Sequence, residues 1–267
     1  MMNDDPRPAR VALLGEFSAG KSTLANVLLG RAQSPVKATA TQMPALWYRF
    51  GTGAPTRKCE DGTKHTLPGI AGTVASVDGT QAIDVPLDAP ILRRFDLLDL
   101  PGSSDPNMPA TAWDAILPEV DVAIWCTPAT QAWRQSEAAI WDAMPARLHQ
   151  RSLLLLTRID KVGVADRARV LRRIRGEASA RFRHILPVAL LSVSEPPWAC
   201  EASGLDKVFE ALDDLLAHET PRPEPTVAPD TSTDTPDLPR PVVPRRVVSL
   251  KGGRPARRRA SENRPLI

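Results

Sequence analysis

One eight-residue loop, Gly15 to Ser22, constrains the fold of this chain more than any other feature. It reads GEFSAGKS and fits the pattern G-x-x-x-x-G-K-[ST]. An apolar run, VALLG (11–15), leads into it, and an amphipathic stretch, KSTLANVLLG (21–30), follows. A strand, this loop and a helix in that order are typical of a phosphate-binding loop, in which backbone N–H groups and a helix N-terminus surround phosphate oxygens. We therefore expect a nucleoside triphosphate site here.

The two polar residues that end this loop have separate roles in such a site. The Lys21 ammonium would lie against the β- and γ-phosphates, and the Ser22 hydroxyl would bind Mg²⁺. The residues expected to contact the nucleotide here are Gly15, Glu16, Phe17, Ser18, Ala19, Gly20, Lys21, Ser22 and Thr23.

Short apolar runs alternate with stretches of helical periodicity from about residue 10 to residue 218. Several runs are apolar at nearly every position, as is typical of strands covered on both faces. We therefore predict an α/β fold of three layers, α/β/α, with a mostly parallel sheet. The predicted strands are VALLG (11–15), ALWYRF (45–50), FDLLDL (95–100), DVAIWC (121–126), SLLLLT (152–157) and ILPVALL (185–191). The predicted helices are KSTLANVLLG (21–30), TQAWRQSEAAIWDAM (130–144), ADRARVLRRIRGEASARF (165–182) and GLDKVFEALDDLLAHE (204–219). Trp133 and Trp141 fall in one predicted helix, near the same face, and we expect both in the core.

Two motifs after predicted strands indicate which nucleotide binds. Asp99-Leu-Pro-Gly102 fits D-x-x-G, in which Asp99 would hold Mg²⁺ through water and the Gly102 N–H would meet the γ-phosphate. Thr157-Arg158-Ile159-Asp160 fits [NT]-[KR]-x-D, whose carboxylate accepts two hydrogen bonds from guanine and would lack such donors on adenine. Arg158 replaces the commoner lysine, and its flat guanidinium can stack over the base.

Two further loops are expected to complete the site. Ser192 and Ser194, after the last predicted strand, would offer backbone contacts to the guanine carbonyl. Thr39 and Thr41 are the hydroxyl candidates for a loop that senses the γ-phosphate and orders only when it is bound.

Taken together, these residues resemble the GTPase domain of dynamin-like proteins, particularly the bacterial ones, a branch of the TRAFAC-class P-loop GTPases. The likeness covers about residues 10–218 and depends on EFSAGKS, TQMP, IDVPLDAPILRRFDLLDLPG and TRID. It implies a P-loop GTPase fold that binds GTP and GDP with Mg²⁺ and hydrolyses GTP to GDP and phosphate.

The resemblance also assigns individual roles. It implies that Lys21, Thr41 and Ser18 are catalytic, with Thr41 positioning the attacking water and Ser18 helping to place a K⁺ or Na⁺ ion. It implies that Ser22, Thr41 and Asp99 surround Mg²⁺. Phe17 departs from the family, because eukaryotic dynamins have there a glutamine that helps to orient water.

The same likeness leaves more than one function open. We expect slow hydrolysis that rises when two GTPase domains meet face to face as a homodimer. Without a helical stalk after the GTPase domain, membrane fission by this chain alone is not expected. The alternatives are a slow or non-hydrolysing GTP-binding switch or scaffold that presents its tail to a partner, and a ribosome-associated Ras-like GTPase.

The last 49 residues, 219–267, differ in composition from the rest and contain ten of the 27 prolines. We predict that this tail is disordered, that residues 1–9 are a flexible N-terminus and that 10–218 form the GTPase domain. Residues 240–267 carry a net charge of +8, which leaves −5 for residues 1–239 of a chain of net +3, and residues 219–239 account for −4 of that. The basic half would contact an anionic membrane, nucleic acid or an acidic protein; pairing with the chain's own acidic surface is the alternative.

Cellular location is predicted from what the sequence lacks. It has no run of 18 apolar residues, no apolar signal segment, and three cysteines without a CxxC pattern. We therefore expect a cytoplasmic protein, peripheral on a membrane if the tail binds lipid.

Overall fold

The structure is a computed structural model, and it describes residues 7–30, 44–69, 79–104, 113–190 and 203–217. The strands are β1 (Ala9–Gly15), β2 (Ala45–Phe50), β3 (Thr56–Cys59), β4 (Lys64–Thr66), β5 (Thr80–Leu87), β6 (Phe95–Asp99), β7 (Val122–Pro128), β8 (Ser152–Thr157) and β9 (His184–Pro187). The α-helices are α1 (Lys21–Leu29), α2 (Gln135–Asp142), α3 (Ala146–His149), α4 (Val164–Ala178) and α5 (Leu205–Ala217).

The nine strands form one sheet in the order β4-β3-β5-β2-β6-β1-β7-β8-β9. The five adjacent strands β6, β1, β7, β8 and β9 are parallel, while β2 runs antiparallel to β6. Strand β5 is parallel to β2, and β3 and β4 continue the sheet as antiparallel neighbours. The predicted mostly parallel α/β sheet is confirmed.

Helices cover both faces of the sheet, and strand alternation divides the core in two. In β1, Val11 and Leu13 pack on the face covered by α1 and α5. Their neighbours Ala12 and Leu14 pack on the opposite face, under α2, α3 and α4. Because side chains along a strand point alternately to the two faces, a fully apolar strand supplies both layers. This accounts for the runs VALLG and SLLLL.

Trp125 in β7 is the centre of an aromatic cluster on the second face. The rings of Trp113, Trp133 and Trp141 meet it edge-on, with centroid distances of 6.3, 6.4 and 5.7 Å. Burial of Trp133 and Trp141 in the core is confirmed. Their placement in one helix is wrong, because Trp133 precedes α2 and has a positive φ of 59°.

Several elements differ from the prediction. Strands β3, β4 and β5 are not predicted, since the first two are short and polar and the third alternates buried with half-exposed residues. Helix α3 is also unpredicted. Strand β9 ends at Pro187, although the apolar residues Val188 to Leu190 that follow it are buried. Helix α2 starts at Gln135, five residues later than predicted.

The amino-terminal end of the described chain is tied to the fold. Strand β1 begins at Ala9, and the Arg7 guanidinium donates to both carboxylate oxygens of Asp121, at 2.5 and 2.8 Å. The predicted tail 219–267 lies outside the described residues, and the domain bounds stay a prediction. Among the helices that the structure describes, none has the length and apolar character needed to cross a bilayer.

Candidate nucleotide site

The phosphate-loop motif forms the connection between β1 and α1, at the carboxyl end of the parallel strands. Gly15 ends β1 with φ of +132°, and a Cβ placed there would lie 2.2 Å from the Cys126 carbonyl oxygen. Gly20 caps α1 with φ of +98°. Both positions need glycine, the first for space and backbone freedom and the second for backbone freedom. The predicted strand–loop–helix arrangement is therefore present.

Lys21 lies inside the curve of this loop and is 7% exposed. Its Nζ donates to the carbonyl oxygens of Gly15, at 3.0 Å, and Glu16, at 2.8 Å. The Ala19 N–H donates to the Glu16 carbonyl at 3.3 Å and so closes the turn. Ser22 follows in the first turn of α1 and is half-buried. The ammonium charge is thus held at the N-terminus of a helix, where phosphate groups bind in such loops.

The D-x-x-G segment lies beside the loop because β1 and β6 are parallel neighbours. Their register pairs Leu13 with Asp99, which is 7% exposed. Gly102 approaches the loop so closely that a Cβ there would lie 2.7 Å from the Phe17 nitrogen. The Ser103 N–H donates to the Gly15 carbonyl at 3.2 Å. The two segments predicted to surround the γ-phosphate are therefore in direct contact.

The outer side of the loop is formed by Phe17 and Ser18. The Phe17 N–H donates to the Ser104 hydroxyl at 2.9 Å, a contact that the sequence motifs did not indicate. The Phe17 side chain is 37% exposed, which is unusual for an aromatic ring in the described part of the chain. Ser18 is also exposed and has a positive φ of 58°.

The predicted base-recognition segment is joined to the same loop. The Thr157 hydroxyl donates to the Ala19 carbonyl at 2.8 Å, and the Arg158 guanidinium donates to the Ser18 carbonyl at 2.9 Å. Asp160 lies in the short 3-10 turn after β8, with its side chain 30% exposed and 3.7 Å from the Lys161 ammonium. The motif at the end of β8 therefore meets the phosphate loop.

Residues from the start of α2 also contact the loop, and sequence motifs gave no sign of them. The Glu16 carboxylate accepts a hydrogen bond from the Ser136 hydroxyl at 3.0 Å and pairs with the Arg134 guanidinium. The next residue, Glu137, is fully buried and accepts hydrogen bonds from Trp125 and Thr127, each at 3.0 Å. The start of α2 thus contacts the phosphate loop directly and is itself hydrogen-bonded to β7.

The charges of the site also act on the pKa of the Cys126 thiol, which lies in the neighbouring strand β7. Cys126 is paired with Gly15 in the sheet and is fully buried. Burial raises the pKa of this thiol to about 12, with the Lys21 charge lowering it and the Asp99 charge raising it. The thiol is therefore neutral at physiological pH and does not act as a nucleophile.

The donor set fits Mg²⁺ rather than a metal held by protein ligands alone. Ser22 and Asp99 supply a hydroxyl and a carboxylate, the oxygen ligands that Mg²⁺ accepts alongside phosphate and water. Across the ranges that the structure describes, no three His, Cys, Asp or Glu side chains are grouped as metal ligands. The remaining predicted positions, Thr39, Thr41, Ser192 and Ser194, lie outside the described residues.

The sequence is similar to parts of several bacterial proteins, while no protein-family model matches it. It is 24% identical over 213 residues to dynamin-like protein 2 of Campylobacter jejuni, which covers 77% of this chain and 34% of that protein. It is 31% identical over 105 residues to the isoniazid-induced protein IniC of Mycobacterium tuberculosis, covering 36% of this chain and 21% of IniC. It is 24% identical over 233 residues to GTPase Era of Aquifex aeolicus, covering 85% of this chain and 61% of Era. The chain thus spans less than two thirds of each relative.

Solved structures show the same likeness at the level of the fold. An oligomerised bacterial dynamin pair matches with a TM-score of 0.57 and 20% identity, over 79% of this chain and 35% of that chain. Era of Aquifex aeolicus bound to GDP and AlF₄⁻ matches with a TM-score of 0.50 and 20% identity, over 86% of this chain and 62% of that chain. The fold is therefore that of the P-loop GTPases, and the predicted resemblance to bacterial dynamin-like proteins is confirmed.

Proposed function

We propose that this chain binds GTP together with Mg²⁺ and hydrolyses it to GDP and phosphate. The observation that supports this most is the pair of hydrogen bonds from Thr157 and Arg158 to the carbonyls of Ala19 and Ser18. Through them the base-recognition motif and the phosphate loop become one continuous surface. A guanine nucleotide laid on this surface would meet Asp160 with its base and Lys21 with its phosphates.

The proposed hydrolysis needs no protein nucleophile. Backbone N–H groups of residues 15–22 and the Lys21 ammonium would hold the phosphates, and Gly102 would approach the γ-phosphate. Bound Mg²⁺ would neutralise charge that develops on the phosphate oxygens, with Ser22 and Asp99 as its side-chain partners. Thr41 would position the attacking water and Ser18 a K⁺ or Na⁺ ion. These last two roles come from the resemblance alone.

Selectivity for guanine would depend on the Asp160 carboxylate. It can accept hydrogen bonds from the N1–H and the exocyclic amine of guanine, and adenine offers no such pair of donors. Hydrogen bonds to a charged group contribute roughly 1.5–3 kcal/mol each, so loss of the pair would weaken GTP binding by about a hundredfold or more.

Competitive binding against a fluorescent GTP analogue tests the proposal. We expect GTP and GDP to compete and ATP to fail, and Lys21→Ala to abolish binding. The Asp160→Asn variant should bind GTP weakly and xanthosine triphosphate well, because the amide can donate a hydrogen bond where xanthine carries a carbonyl. Asp142→Asn is the matched control, since that carboxylate binds Arg181 at 2.7 Å on the protein surface. Equal affinity for ATP and GTP, or none for either, would contradict the proposal.

Two other functions compete with this one. A switch that binds GTP without hydrolysing it would show no phosphate release in single-turnover experiments, with or without K⁺. A ribosome-associated Ras-like GTPase is the second alternative, and the similarity to GTPase Era, which extends over 85% of this chain, shows that the likeness is not confined to dynamin-like proteins. GTP-dependent binding to ribosomal subunits would support that role over the dynamin-like one.

A further inference from the structure

The second residue of the phosphate loop is an acid with a buried carboxylate. Glu16 is 7% exposed, and its own carbonyl oxygen accepts a hydrogen bond from Lys21 at 2.8 Å. The carboxylate therefore belongs to the same loop as the backbone carbonyls that hold the ammonium. A negative charge beside a bound triphosphate would repel it and compete for the Lys21 charge.

The carboxylate is satisfied by two residues at the start of α2. One oxygen accepts from the Ser136 hydroxyl at 3.0 Å, and the other pairs with the Arg134 guanidinium. The amino end of α2 adds its partial positive charge, which favours an anion at that end of a helix. Arg134 is the partner that carries a full compensating charge.

The backbone of Arg134 is itself held in place by the buried carboxylate of Glu137, three residues later. Its N–H donates to the Glu137 carboxylate at 3.0 Å. That carboxylate also accepts from the Trp125 indole and the Thr127 hydroxyl of β7, each at 3.0 Å. The backbone of Arg134 is therefore fixed through Glu137 to β7, and the half-exposed side chain extends from this point to Glu16.

We propose that Arg134 is a positioning residue for the nucleotide. It neutralises the Glu16 carboxylate, so that the Lys21 ammonium stays directed to the phosphates and the loop presents a net positive charge. Ser136 holds the same carboxylate in place. The inference rests on the proposed function, because it concerns how a guanine nucleotide is bound.

Nucleotide affinity of Arg134→Gln in the full chain tests this role. We expect GTP to bind about tenfold more weakly, and GDP to lose less, because GTP carries one more negative charge for the no longer neutralised Glu16 carboxylate to repel. The loss should shrink at high salt. The double variant Glu16→Gln/Arg134→Gln removes both charges and should recover most of the affinity.

Arg169→Gln is the matched control, since it removes the same charge from an exposed arginine of α4 that pairs with Asp166. Its GTP affinity should equal that of the wild type. Unchanged GTP affinity in Arg134→Gln would overturn the inference, as would a loss that the double variant does not relieve. Thermal melting without nucleotide separates either result from unfolding. If wild-type protein binds no GTP, the proposed function itself fails, which is a different outcome from normal binding by both wild type and Arg134→Gln.

Discussion

At the scale of single residues, the site depends on close backbone contact. Gly15 and Gly102 bring three chain segments together at distances that leave no room for a side chain. The sequence motifs identify both glycines, because each is part of a recognisable pattern. They do not identify Ser104, Arg134 or Ser136, whose contacts with the loop join positions that are far apart in the chain and follow no fixed spacing.

Replacing Gly102 by alanine should damage both the fold and the site. The added Cβ would lie 2.7 Å from the Phe17 nitrogen and 2.8 Å from its Cα, and both are backbone atoms. We expect a loss of about 1–3 kcal/mol in the free energy of unfolding in urea, as for other overpacked positions. Weaker GTP binding should accompany it, because the two segments around the γ-phosphate are forced apart.

The same substitution at Gly176 provides the comparison. That glycine lies inside α4 with nothing within 4 Å of an added Cβ. Gly176→Ala should therefore raise the free energy of unfolding by roughly 0.5–1 kcal/mol, as expected for an exposed helical position. Equal effects at the two positions would show that the approach of Gly102 to Phe17 does not matter.

At the scale of helices and strands, the apolar parallel strands could be predicted and the polar extension of the sheet could not. Strand β8 coincides with its predicted run, residues 152–157, because burial on both faces makes its sequence continuous in apolar residues. Strands β3 and β4 lack such a run, since they are partly or fully exposed. Strand β9 is shorter than predicted because burial continues past its end, and apolar sequence indicates burial rather than strand geometry.

Helix α5 is joined to the start of β9 by an ion pair that predicts a pH dependence. Arg183 contacts Asp214 at 2.7 Å, and His184 contacts the same carboxylate at 2.7 Å. Hydrogen bonds from Arg183 first, and then from His184, hold the pKa of the Asp214 carboxyl well below its ordinary value. A carboxyl pKa that is lower in the folded state stabilises the protein above the unfolded value, about 3.9, and the benefit disappears as pH falls.

We therefore expect Asp214→Asn to lower the melting temperature at pH 7, by a margin that shrinks as the pH is lowered below about 4. The effect should be small, because the pair is at the surface. Thermal melting of the variant and the wild type across this range measures it. Asp166→Asn, which alters an exposed pair within α4, is the control. A difference that stays constant down to the lowest pH would mean that the charge of Asp214 is not what stabilises α5.

At the scale of the whole molecule, the homodimer predicted from the sequence would form where the nucleotide is expected to bind. Phe17 and Ser18 are exposed on the outer side of the phosphate loop, where a second copy would reach them in such a dimer. The acidic-then-basic tail stays a prediction, as do its contacts with membrane, nucleic acid or protein.

If two copies meet across the nucleotide, GTP turnover per molecule should rise with protein concentration. Steady-state phosphate release over two orders of magnitude in concentration measures this. Phe17→Ser should weaken the concentration dependence. Phe50→Ser should not, since Phe50 is similarly exposed, at 44%, but lies at the end of β2 under the Arg93 guanidinium. Turnover independent of concentration in the wild type would contradict the dimer.

Within the described residues, the sheet ends on one side at β4, which has three residues, all exposed, including a lysine and a histidine. So short and charged an edge is a poor template for a strand from another molecule. Filament growth by backbone pairing is thus discouraged at this side, even in crowded solution. Copies that meet there would do so through side chains and could separate again.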